Sequence, residues 1–178
     1  IGDSLSAGLG VTYNQAWPSL LQNRLKKEGY LIQVLNAGIS GDTTSGGVQR
    51  LPVLLDKYTP EIVVIELGGN DGLRGTSINS IESNLRSMIE TALGRDAKIL
   101  LIGMQLPPNY GNAYTSSFQN LFPELASEYG ISLVERLIQR MMNETWQQNL
   151  IQADGIHPTA EGYIQIEKII WDSLQPLL

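Results

Sequence analysis

Cysteine is absent from the 178-residue chain, which excludes a disulfide framework and any thiolate zinc site. Histidine is nearly absent: His157 is the only one, so multi-histidine metal centres are excluded as well. Positive charge is scarce, with 12 Lys and Arg against 18 Asp and Glu, a net charge of -6 and a pI near 4.7. The densest basic cluster is Lys26-Lys27, which reads as a solvated helix face. Nucleic acid is therefore excluded as a partner, because neutralising phosphates takes clustered Lys and Arg. Long apolar runs are missing too. None approaches the ~20 residues that cross a bilayer, which argues against stable membrane insertion.

What is present is ordinary for a globular protein: 42% apolar and 17% charged residues. The length fits one domain over residues 1–178. Apolar runs of strand length alternate with helical patterns. Ile1, ahead of the Gly2-Asp3-Ser4 turn, reads as the last residue of a strand whose start lies upstream of this numbering. A helix is expected from Trp17-Pro18 to a cap at Gly29, followed by a strand "LIQVLNAG" (31–38). A loop, "SGDTTSGG" (40–47), leads into a helical stretch through Tyr58, with Pro52 inside it as a kink or a late start. "IVVIEL" (62–67) is apolar on both faces, as a central parallel strand is. Ile81, Leu85, Met88, Ile89 and Ala92 form a helical stripe within about 78–93. "KILLIGM" (98–104) and "ISLV" (131–134) read as strands, with helices over about 116–129 and 159–174. This alternation predicts an α/β architecture, a parallel sheet with helices on both faces.

In such sheets ligands bind beyond the carboxyl ends of the strands. The loops there are "GDSLSAG" (2–8), "NAGISGDTT" (36–44), "GGNDG" (68–72) and "ADGIHP" (153–158). Together they hold one copy of each part that acyl transfer needs. Ser4 offers a hydroxyl nucleophile at a strand-to-helix turn. His157 offers the base, and Asp154, three residues earlier across Gly155, can accept from its Nδ1–H. Pro158 restricts His157 to an extended conformation. The backbone N–H groups of Ser4 and Gly41 and the side-chain amide of Asn70 can serve as oxyanion donors. Each piece has a blander use: Ser4 as a helix cap, Gly41 as a turn glycine, Asn70 and Asp71 as a turn. Their joint placement on one sheet edge favours catalysis. An α/β-hydrolase elbow is excluded, because Gly2-Asp3-Ser4-Leu5-Ser6 lacks the second glycine of G-x-S-x-G. The glycine patterns of nucleotide-binding loops are absent as well.

"GDSLSAG", "SGD", "GGND" and "DGIHP" resemble, in order and over nearly the whole chain, the four blocks of the SGNH (GDSL) hydrolase family. "NAGISGDT" and "ELGGNDGLRG" are similar to its bacterial thioesterase, lysophospholipase and arylesterase branch. The resemblance implies a flavodoxin-like three-layer α/β/α sandwich with five parallel strands. It also implies Ser4, Asp154 and His157 as the triad, and Ser4, Gly41 and Asn70 as the oxyanion hole. A metal-independent serine esterase without cofactor is thus expected, acting on aryl, short and medium acyl esters and on thioesters or lysophospholipids. Thiols and phenols, with pKa values near ~8.5 and ~10, leave more readily than alkoxides, which favours such substrates. "GLRGTS" (72–77) and "QLPPNYGNAY" (105–114) border the site, and Leu73, Leu106 and Tyr110 are the expected acyl-binding residues. An acyltransferase or carbohydrate deacetylase using the same site, and a catalytically silent flavodoxin-like binding module, are the alternatives. The resemblance further implies a periplasmic or secreted location. Physiological substrate and oligomeric state are not legible.

Overall fold

The computed structural model describes residues 1–144 and 149–178. In chain order the elements are α1 (Ser4–Ala7), α2 (Trp17–Lys27), α3 (Thr44–Tyr58), β1 (Ile62–Ile65), α4 (Gly69–Leu73) and α5 (Ile78–Leu93). They continue as β2 (Lys98–Ile102), α6 (Asn112–Tyr129), β3 (Ser132–Val134), α7 (Leu137–Glu144) and α8 (Ala160–Leu174). The strands are parallel, in the order β1-β2-β3, with Ile62 opposite Lys98 and Leu100 opposite Ser132.

Side chains alternate along each strand, so the apolar runs feed two cores. Val63, Ile65, Ile99 and Leu101 pack with α3, α5 and α6 on one face. Leu100, Ile102 and Val134 pack with α2, α7 and α8 on the other. The result is three layers. α5 shows why the sequence gives these helices: its five-residue stripe is fully buried, and Ser77 caps its start by accepting from the Ser80 amide. Each large side chain so buried contributes roughly 1.5–3 kcal/mol. Two starts differ from the sequence pattern. α3 begins at Thr44, capped by Thr43, and runs straight through Pro52. α6 begins at Asn112, before its apolar stripe sets in at Phe118. α7 has no counterpart in the sequence reading, since only Leu137 and Met141, one turn apart, carry its buried face.

Five strands are expected and three are found among the described residues. Residues 1–2 pair on both sides without forming a regular strand. The Ile1 amino group donates to Val64 O at 2.9 Å, Glu66 N donates to Ile1 O at 2.9 Å, and Ile39 N donates to Gly2 O at 3.0 Å. Single parallel bridges join Gly2 to Gly38 and Gly2 to Glu66. Upstream of Gly38 the 31–37 segment makes no ladder pairing among the described residues. Its backbone turns to a side chain instead: Gln22 donates to Ile32 O and accepts from Val34 N. The expected strand 31–38 therefore survives only as the Gly38 bridge.

Candidate active site

α1 carries Ser4 at its first position. Asp3 caps the helix, its Oδ1 accepting from Leu5 N at 3.0 Å, and Gly8 ends it in a left-handed conformation (φ 77°). The Ser4 hydroxyl lies 2.8 Å from His157 Nε2, across 153 positions of sequence. Residues 150–159 form a small hairpin that delivers the imidazole. Gln152 N donates to His157 O at 2.7 Å, Thr159 N to Leu150 O at 2.9 Å, and Gly155 turns the chain at φ 74°. Gln152 fastens this hairpin to the end of α1, its Nε2 donating to Leu9 O at 2.8 Å and to Pro158 O at 2.7 Å.

Asp154 meets His157 twice. Its Oδ2 is 2.6 Å from Nδ1, while its Oδ1 accepts from Ile156 N at 2.9 Å and His157 N at 3.0 Å. The Ile156 amide, then the imidazole and the His157 amide, hold this carboxyl down to about 2, well below the usual aspartate range. An ionised Asp154 accepts from Nδ1–H, which leaves the Nε2 lone pair for the Ser4 hydroxyl. Ser4 is nearly buried and the His157 side chain is 14% exposed, so their contact is largely shielded from water.

Around Ser4 the polar groups are heavily committed. Glu66, at the end of β1 and fully buried, accepts through Oε2 from Asp3 N (3.1 Å), Ser6 N (3.1 Å) and Ser6 Oγ (2.7 Å). Burial, followed by the neighbouring Asp3, pushes its carboxyl well above the usual range. Burial raises Asp3 too, against the pull of the Leu5 amide. Asn70, on α4, gives one amide hydrogen to Asp3 Oδ2 at 2.9 Å. Two backbone donors stay free: among the described residues neither Ser4 N–H nor Gly41 N–H has an acceptor. Gly41 sits at φ 79°, which glycine adopts without strain, and its carbonyl accepts from Arg74 Nη2 at 3.0 Å. Asp71 braces the two loops together, accepting from Thr44 N at 2.8 Å and from Thr44 Oγ1 at 2.7 Å.

Residues 1–164 match the model of the GDSL-like lipase/acylhydrolase family. The chain belongs to this family. Esterase TesA of Pseudomonas aeruginosa is 46% identical over 178 residues, covering 100% of this chain and 87% of that protein. Thioesterase 1/protease 1/lysophospholipase L1 of Escherichia coli K12 is 38% identical over 179 residues, covering 100% and 83%. In structure the chain is similar to the psychrotrophic esterase EstA from Pseudoalteromonas sp., solved inhibited by monoethylphosphonate. The TM-score is 0.91 at 32% identity, over 99% of this chain and 94% of that one.

In this GDSL-like hydrolase the loop that follows β2 folds back on α4. Tyr110, half-buried, donates from its hydroxyl to Leu73 O at 3.0 Å, and the half-buried Leu73 packs against the core. Leu106 is turned inward rather than out: it is 4% exposed, packed so tightly on Gly72 that a Cβ there would stand 2.6 Å from its Cδ2. Asp3, Glu66 and Asp71 escape the sequence reading as parts of the site. The available signal was a carboxylate ending an otherwise apolar buried strand, "IVVIE", since a buried acid needs partners.

Proposed function

We propose that Ser4 is the nucleophile, His157 the general base and Asp154 the orienting carboxylate of the esterase site. The observation that carries this reading is the continuous chain from Ser4 Oγ to His157 Nε2 (2.8 Å) and from Nδ1 to Asp154 Oδ2 (2.6 Å). The protein is a serine hydrolase that cleaves carboxylic esters. Ser4 Oγ attacks the acyl carbon as its proton passes to Nε2, and Asp154 stabilises the imidazolium that forms. The carbonyl oxygen gains charge against Ser4 N–H, Gly41 N–H and the second amide hydrogen of Asn70. Collapse expels the leaving group with the proton from His157. Water then repeats the sequence and releases the acid. No step requires a metal or cofactor.

Aryl esters and acyl thioesters are the fast substrates, because their leaving groups need least protonation. The names of the relatives, an esterase and a thioesterase/lysophospholipase, support this range, lysophospholipids included. Leu73, Leu106 and Tyr110 border the acyl chain, Leu106 from beneath; the Tyr110–Leu73 bond supports a firm wall on that side. The sheet has the flavodoxin-like order 31–38, 1–2, β1, β2, β3 in a single domain, a reading supported by the Gly38–Gly2–Glu66 bridges. Turnover of p-nitrophenyl acetate, with phosphonate labelling mapped by mass spectrometry, tests the site. Loss of both in Ser4→Ala is expected, and labelling at any other residue removes Ser4 from the role.

A further inference from the structure

The first turn of a helix leaves four N–H groups without helical acceptors. In α1 these belong to Asp3, Ser4, Leu5 and Ser6. Glu66 Oε2 takes those of Asp3 and Ser6, and Asp3 Oδ1 takes that of Leu5. Only Ser4 N–H is left over. One of these carboxyls also reaches Asn70, since Asp3 Oδ2 holds one of its amide hydrogens and leaves the other to point elsewhere. Two of the three proposed oxyanion donors thus owe their orientation to Asp3 and Glu66.

We propose that Asp3 and Glu66 are positioning residues for ester cleavage: through the hydrogen bonds just described they fix the direction of the Ser4 N–H and the Asn70 amide. This inference rests on the oxyanion assignment made above. Glu66 Oε2 already accepts three hydrogen bonds, whereas Oε1 is buried with no donor among the described residues. Oε1 is therefore the open position on this carboxyl, which burial and the nearby Asp3 push well above the usual range. A Glu66 held neutral in this way removes one negative charge from the base of the site. That matters when an oxyanion forms nearby. The other groups facing the pair fit this arrangement. His157 bears electrostatically on Asp3, the buried Tyr163 hydroxyl on both carboxyls and Asp154, and Arg50 donates to Gly2 O at 3.2 Å.

Gln is the matched replacement at position 66, because its carbonyl accepts the three hydrogen bonds and its NH₂ takes the place of a protonated Oε1. Glu66→Gln is expected to keep kcat on p-nitrophenyl acetate within about threefold, and Glu66→Leu to lower it ~10–100-fold with KM little changed. Asp3→Ala is expected to lower kcat by a similar factor and to add almost nothing on top of Asn70→Ala. Circular dichroism checks that each variant is folded, and if Glu66→Leu is not, the Asp3/Asn70 cycle decides. Full activity in Glu66→Leu, equal damage in Glu66→Gln, or additive losses in the cycle would overturn the proposal. A parallel Ser4→Ala control separates this from the underlying reading: retained turnover there defeats the esterase assignment, whereas its loss leaves that assignment standing whatever the carboxyl pair does.

Discussion

His157 and Asp154 stand three residues apart on a surface hairpin, and the Asp154 side chain is 43% exposed. Ser4, Asp3 and Glu66 come from segments some 60 positions apart and are 9%, 4% and 0% exposed. The imidazole side of the site is thus assembled locally, from one turn whose amides and side chains satisfy each other. The serine side is assembled by the sheet, from carboxyls taken out of water and held by backbone donors. Surface electrostatics are screened, whereas buried polar groups are costly unless every partner is in place. The first half can be altered with little risk to the fold. The second binds chemistry and folding together.

Variants can pull the two halves apart. Ser4→Ala and His157→Ala each remove the reacting pair and are expected to lower kcat by ~10⁴-fold or more with unchanged melting temperature. Substantial turnover by the histidine variant would dismiss the triad, since no other imidazole exists to substitute. Next comes Asp154→Asn, expected to cost ~10⁴-fold by presenting the wrong tautomer while leaving the hairpin folded. A near-normal rate would show that the Asp154 contact only shapes the turn. Asn70→Ala follows at ~10²–10³-fold in kcat, the worth of one preorganised donor. A large rise in KM with kcat intact would recast Asn70 as a substrate-binding group.

Asp71→Asn sharpens the contrast from the buried side. The variant places an NH₂ where Thr44 needs an acceptor, so unfolding in urea is expected to show a loss of ~1–3 kcal/mol. An unchanged midpoint would remove this brace from the account. The smallest effect belongs to acid. The folded Asp154 carboxyl lies at about 2, below its unfolded value of ~3.9. The stability it contributes is present above the unfolded value and is lost as pH falls through about 2. Melting temperatures of the parent and Asp154→Asn, separated near neutrality, are expected to converge toward that pH. It also follows that Asp154 stays ionised between neutral and mildly acid pH, so any decline in kcat/KM over that range belongs to another group.

The legible parts of the molecule were those with local causes. α5 runs from Ile78 to Leu93, as its stripe requires, and the Asp154–His157 turn is visible as two residues in one loop. The edge of the sheet is different. "LIQVL" has strand composition, yet among the described residues only Gly38 just after it pairs with the sheet, and Leu31, Ile32 and Leu35 are exposed. α7 was hidden because two buried residues one turn apart make no period. Asp3 and Glu66 were hidden because burial and pairing over 60 positions leave no spacing rule to read. Leu106 opens a proline-rich loop read as bordering the site, and its burial depends on the bare Gly72 beneath it, which no spacing rule announces.

Thr44 is fully buried and reaches back to Asp71 through its amide and to Asp71 and Asn84 through its hydroxyl. Its N–H has a side-chain acceptor from another helix rather than a carbonyl of its own. Deuterium can replace that hydrogen only when the start of α3 parts from α4, the same separation that would carry Gly41 away from Asn70. The exchange rate of this one amide is therefore a clock for how often the floor of the site comes apart, readable without any substrate.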